Sequence, residues 1–184
     1  TSPCFDDILE QQRPDVIINA AAWVDVDACE GDERTARAIH EEATARMAAY
    51  CQRKGAYLVY VSTDSVFDGT MARPYREADS PAPLNVYSRT KLAGERAALV
   101  CRNSLVLRTN IFGWTTSGRN FAEWVLQSLR SGKQITVFTD MLITPLFSGE
   151  CARIIGQCLL KRPRGIFHAG SRDSISKAAF AQSV

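Results

Sequence analysis

The sequence is poor in the residues that most readily signal a function. Histidine occurs twice, and the six cysteines (Cys4, Cys29, Cys51, Cys101, Cys151 and Cys158) are widely spread, with no C-x-x-C pair and no His at metal-ligand spacing. Neither a zinc site nor a disulfide framework is therefore expected. The cysteines are read as reduced thiols of a cytoplasmic protein, most of them buried. Charge of one sign is lacking too: 22 basic and 20 acidic residues leave a net charge of +2. No basic stripe is available for nucleic acid or an anionic membrane. The longest early apolar run, Val16 to Val24, falls well short of the roughly 20 residues of a membrane span. No basic-then-apolar leader precedes it, so a soluble, untargeted chain is expected. Also missing is any G-x-x-G-x-x-G turn, the element that brings a pyrophosphate to a helix N-terminus.

What is present is enough apolar residue, 46% of 184, for a sizeable core. Helical and strand patterns alternate along the chain, the mark of a parallel sheet covered by helices on both faces. A helix is expected from Phe5, with Ser2-Pro3 at its start. Val16 to Ala20 and Tyr57 to Val61 read as strands buried on both sides, because their apolar runs are continuous rather than alternating. Three-to-four spacing predicts helices over Asp32–Arg53, Tyr87–Val100, Asn120–Leu129 and Ser148–Leu160. Further strands are expected at Leu105–Arg108, Ile135–Phe138 and Gly165–Ala169, and Ser174 or Ser176 is expected to cap a last helix. The Asp-, Pro-, Gly- and Ser-rich stretch from Thr63 to Pro83 is too long for a plain connector and reads as a functional loop.

Three local features carry candidate chemistry. The buried strand at Val59 runs out into Ser62-Thr63-Asp64, two hydroxyls and a carboxylate at a carboxyl end where α/β sheets place ligands. Turn capping by the same residues is the competing reading. Tyr87 and Lys91 stand four residues apart on a predicted helix, hence on one face. A phenol with its ordinary value near 10 is a poor acid or base at neutrality until a cation favours its anion, which Lys91 is placed to do. Asn19-Ala20-Ala21-Ala22, small residues at the end of a buried strand, suit either a flat ligand lying close to the backbone or tight helix-strand packing.

The order of these segments resembles a family. Asp15-Val16-Ile17-Ile18-Asn19-Ala20-Ala21-Ala22, Val26-Asp27-Ala28-Cys29-Glu30, Val61-Ser62-Thr63-Asp64-Ser65-Val66-Phe67-Asp68-Gly69, Pro74-Tyr75-Arg76-Glu77 and Tyr87-Ser88-Arg89-Thr90-Lys91 together resemble the dTDP-4-dehydrorhamnose reductases. These are extended short-chain dehydrogenase/reductases. Leu107-Arg108-Thr109, Phe112-Gly113 and Thr144-Pro145 continue the likeness. The resemblance implies an α/β, Rossmann-like doubly wound parallel sheet lacking its first β-α-β elements, with part of a small C-terminal substrate lobe. In domain terms, residues 1–184 would be one partial NAD(P)-binding domain with substrate-lobe elements within about 110–184. The glycine-rich turn lies earlier in the family, so an internal fragment is expected.

The resemblance further implies reduction of a nucleotide-linked 4-keto-6-deoxy sugar by NADPH or NADH, in deoxysugar or cell-surface polysaccharide biosynthesis. Tyr87 would donate the proton, Lys91 would lower its pKa and hold the nicotinamide ribose, and Thr63 would hydrogen-bond the reacting oxygen. Ala20, Ala21, Ala22, Ser62 and Asn110 would line the cofactor, with Asp64, Thr63 and Asn110 on the substrate side. A nucleotide sugar is the expected partner, with a homodimer as a further possibility and no metal. A regulatory subunit on the same scaffold, or an epimerase or dehydratase, are the alternatives. Departures from the family pattern are Ile39-His40 where Asn is frequent, and Met141 in Asp140-Met141-Leu142-Ile143-Thr144-Pro145 where an amide is usual. His40 and His168 are expected to be structural or surface residues.

Overall fold

The computed structural model describes residues 5–114 and 120–184; the Ser2-Pro3 helix start and Cys4 lie outside the described residues. The chain divides into two compact units, Thr1–Arg108 with Cys158–His168, and Thr109–Gln157 with Ala169–Val184.

The first unit holds α1 (Phe5–Gln12), β1 (Val16–Asn19), α2 (Val26–Gly31), α3 (Glu33–Arg37), a π-helical turn (Ala38–Glu42), α4 (Ala43–Lys54), β2 (Tyr57–Thr63), a 3-10 turn (Asp64–Val66) and α5 (Val86–Leu99). It also takes the first part of β3 (Ser104–Phe112) and nearly all of β6 (Gly165–Ala169). β1 and β2 pair in parallel, Val16 opposite Tyr57 through Asn19 opposite Tyr60, and β3 is flanked by β2 and β6. Alternation along β2 explains its unbroken apolar run. Leu58 and Tyr60 face Ala48, Tyr50, Cys51, Ala98 and Val106, while Tyr57 and Val59 face Leu105, Cys158 and Leu159. Both faces are covered, so neither set of side chains is polar.

One continuous helix was expected over Asp32–Arg53; the structure breaks it. Asp32 ends one helix and caps the next, its carboxylate accepting from Thr35 N at 3.0 Å, and the widened π turn intervenes before α4. α4 then stops at Gly55, in the left-handed region at φ 71°, as a C-cap glycine should.

The second unit contains the end of β3, α6 (Phe121–Arg130), β4 (Leu142–Ile143), β5 (Pro145–Phe147), most of α7 (Ser148–Lys161), β7 (Ile175–Ser176) and α8 (Lys177–Ser183). Asn110 to Phe112 pair in parallel with Pro145 to Phe147, and β4 pairs antiparallel with β7. Asn120 and Glu123 form a capping box on α6, and Ser176 caps α8 through Ala179 N at 3.1 Å. The core gathers Ala122, Ile143 and Phe180 with Phe112, Phe121 and Ile175. The expected strand at Ile135–Phe138 is not formed. Its residues alternate in burial as a strand would, but no neighbouring backbone forms a ladder with them, and Phe138 O accepts singly from Ala178 N. The strands form instead at Leu142–Phe147, where β7 and β3 supply partners.

The described cysteines are all free, and Cys29, Cys51, Cys101 and Cys151 are buried. Among the described residues there is no cluster that would hold a metal ion, and no helix is long and apolar enough to cross a membrane.

Candidate active site

The carboxyl end of β2 sends successive side chains to opposite sides, which separates Ser62 from Thr63. Ser62 Oγ donates to Glu95 Oε1 at 2.5 Å. Glu95 also receives Arg108 Nε at 2.9 Å and Nη2 at 2.7 Å, a fork-like ion pair buried to within 3% of full exclusion. Ser62, expected beside the cofactor, is thus committed to a structural ion pair whose carboxylate takes its only proton. Thr63 faces the other way. Its hydroxyl oxygen accepts from Ser65 N at 3.1 Å, capping the 3-10 turn, its proton is directed to Asp64 Oδ1 at 3.3 Å, and it lies beside the Tyr87 phenol, whose pKa it lowers. Capping and site roles therefore coincide in one residue.

Tyr87 and Lys91 are presented by α5, whose start is fixed twice over: Asn85 caps it by accepting from Ser88 N at 2.8 Å, and Glu30 Oε1 accepts from Val86 N at 2.6 Å. The Tyr87 ring packs with Trp23 around Cys29, Ala36 and Val86. Burial pushes its phenol up to about 12; hydrogen bonding with Thr63 opposes the shift and the Asp64 carboxylate adds to it. The direction is opposite to the lowering expected from a neighbouring cation. Lys91 is engaged elsewhere: its ammonium donates to Val61 O at 2.7 Å and sits 4.2 Å from the Tyr60 ring centre. Burial lowers Lys91 to about 8, with Glu95 acting the other way. At neutral pH the phenol keeps its proton and the amine is largely charged, the states required of a proton donor and its supporting cation.

Ala20 and Ala21 are exposed and Ala22 half-buried, forming a shelf without side chains beyond Cβ. Its backbone is held from both ends. Ala21 N donates to Asn19 Oδ1 at 3.1 Å, Asn19 Nδ2 donates to Thr44 Oγ1 at 2.9 Å, and Trp23 N donates to His40 Nε2 at 2.9 Å. Sequence reasoning placed Asn19 at the head of the alanine segment without giving it a role of its own; Glu95 and Arg108 gave no signal until their burial was known. Asn110 belongs to the second unit, opposite Pro145 in the β3–β5 ladder, whereas Ser62, Thr63, Asp64, Tyr87 and Lys91 gather in the first. The His168 ring lies edge-on to Phe67, with centres 5.6 Å apart.

The donor set suits a nicotinamide riboside. An ammonium has three N–H groups, of which Val61 O takes one, and the alanine shelf admits a flat ring against the backbone.

A parallel sheet with helices on both faces and a polar cluster beyond one strand end defines a Rossmann-like α/β protein. More narrowly, the chain belongs to the RmlD substrate binding domain family, whose model matches residues 4–184. It is 33% identical over 183 residues to a probable low-salt glycan biosynthesis reductase, Agl14, of Haloferax volcanii, covering 97% of this chain and 61% of that protein. Among solved structures, a hypothetical dTDP-4-dehydrorhamnose reductase from Sulfolobus tokodaii is similar at a TM-score of 0.88 and 36% identity, over 97% of this chain and 63% of that one. A dTDP-4-dehydrorhamnose reductase from Bacillus anthracis in complex with NADP is similar at a TM-score of 0.87 and 30% identity, over 96% of this chain and 63% of that one. The chain thus spans about three fifths of the length of these relatives.

Proposed function

We propose that this chain carries the proton-donating part of an NAD(P)H-dependent reductase of a nucleotide-linked 4-keto-6-deoxy sugar. The observation that carries the reading is the placing of Tyr87 and the buried Lys91 one turn apart on α5, with Lys91 bonded to Val61 O at the end of the strand that closes on Thr63. The names of the similar reductases, one of them bound to NADP, support the choice of cofactor and substrate class.

A bound nicotinamide supplies the hydride that adds to the keto carbon. The roles of the chain's own residues follow from their states. As negative charge develops on the carbonyl oxygen, Tyr87 gives up its hydroxyl proton to it, so a secondary alcohol forms and a phenolate remains. Thr63 stabilises the same oxygen by hydrogen bonding. The Lys91 ammonium offsets the phenolate charge and offers N–H groups to the ribose. Ala20, Ala21 and Ala22 form the surface on which the nicotinamide rests, with Asp64 on the substrate side. A dimer and a cytoplasmic setting remain part of the proposal.

Tyr87→Phe in the full-length protein tests this. With no transferable proton, turnover of nucleotide-linked 4-keto sugars should fall by about 10²–10⁴-fold, while coenzyme affinity holds because the ring persists. Unchanged turnover would refute the assignment.

A further inference from the structure

We propose that His40 is a positioning residue, its neutral imidazole setting the distance between the alanine shelf after β1 and the face of α5 that carries Tyr87 and Lys91. This rests on the reductase reading above. His40 is fully buried in the π turn. Its Nε2 accepts from Trp23 N at 2.9 Å, one residue beyond Ala22. A ring nitrogen that accepts carries no proton, so the proton of the neutral ring resides on Nδ1, where Thr90 Oγ1 lies at 2.8 Å. Thr90 then passes its own proton to Val86 O or Tyr87 O, at 2.9 and 3.0 Å. Every polar atom is satisfied in this tautomer; the other sets a ring N–H against the Trp23 N–H. The ring edge also meets the Tyr87 ring, with centres 5.6 Å apart and planes at 87°.

The same residue acts through its backbone. His40 O accepts from Thr44 Oγ1 at 2.7 Å and Tyr60 Oη at 3.4 Å, and Thr44 in turn receives the Asn19 amide that holds Ala21 N. Both ends of the alanine segment are therefore tied to one turn, whose side chain is tied to the residue preceding Lys91. Charged or titratable groups facing it are Lys91 and Tyr87 from α5 and Tyr60 from β2. Burial, aided by the charge of Lys91, holds the imidazole down at about 4, so it stays neutral through the physiological range. A histidine present only to fill space would need none of this bonding, and a phenylalanine would serve as well.

The test compares His40→Phe, which keeps a ring and loses both hydrogen bonds, with His40→Gln, whose amide offers one acceptor and one donor, in the full-length protein. H40F should raise the coenzyme Kd and lower kcat/KM at least tenfold, and H40Q should recover to within threefold of the parent. H40F with parental Kd and kcat/KM would overturn the proposal, as would an H40Q no better than H40F. Should H40F fail to fold, nitrogen-15 NMR of the parent protein decides: a neutral ring protonated on Nδ1 at pH 6–8 supports the bridge, and the other tautomer or a charged ring overturns it. Tyr87→Phe is run in parallel. If it is inactive while H40F is unaffected, only the His40 proposal falls; if it is fully active, the reductase reading has failed.

Discussion

Lys91 is charged at neutral pH in a place where charge is expensive, and replacing it should stabilise the fold while destroying the proposed chemistry. The side chain is 1% exposed and burial lowers its pKa from 10.5 to about 8. That gap corresponds to about 3 kcal/mol of destabilisation below pH 8. Lys91→Met removes the penalty but forfeits the hydrogen bond to Val61 O, worth about 1–2 kcal/mol, so the variant should gain about 1–2 kcal/mol at pH 7. The pH dependence follows from the sign of the shift. Between pH 8 and 10.5 the unfolded chain binds more protons at this site than the folded one, so parental stability climbs with pH and the variant's advantage shrinks. By pH 10 about 2–3 kcal/mol of the penalty has gone, so the gain should be lost and the parent should be the more stable of the two. Urea unfolding of both proteins at pH 7, 8, 9 and 10 measures it. A variant less stable than the parent at pH 7, or a difference that does not change with pH, would refute the reasoning. Turnover should meanwhile collapse, a trade of stability for activity at one residue.

Two further substitutions probe the supports behind the site. Glu95→Ala strands the Arg108 guanidinium in a site only 3% exposed on its side chain and should cost about 3–5 kcal/mol by chemical denaturation; a loss below 1 kcal/mol would mean that water reaches the guanidinium. Gly94→Ala would drive a Cβ into both the Tyr60 hydroxyl and the His40 carbonyl, lowering stability by about 1–3 kcal/mol. Adding Tyr60→Phe should recover only part of that loss in thermal unfolding, because the obstructing carbonyl is backbone; full recovery would show that the phenol alone is in the way.

The features legible in the sequence are those whose cause is local. β2 reads as doubly buried because its run is apolar on both alternating sets, and Tyr87 with Lys91 reads as one helical face because four residues make about one turn. The expected strand at Ile135–Phe138 failed because a strand needs a partner, and alternation says nothing of whether one is present. The break at Ala38–Glu42 was equally hidden, since it accompanies the close approach of His40 O to Gly94, more than fifty residues away.

By itself the sequence determined the parallel α/β pattern, the placing of a polar cluster at a strand end and the Tyr–Lys spacing, since periodicity and side-chain chemistry are properties of neighbours along the chain. Only the tertiary structure decided how those groups are used. It turned Ser62 away to Glu95, tied Lys91 to Val61 and made His40 a bridge between two elements. Direction, burial and hydrogen-bond partners arise from packing between distant segments, and they, rather than residue type, fix which hydroxyl meets the phenol and which proton is held.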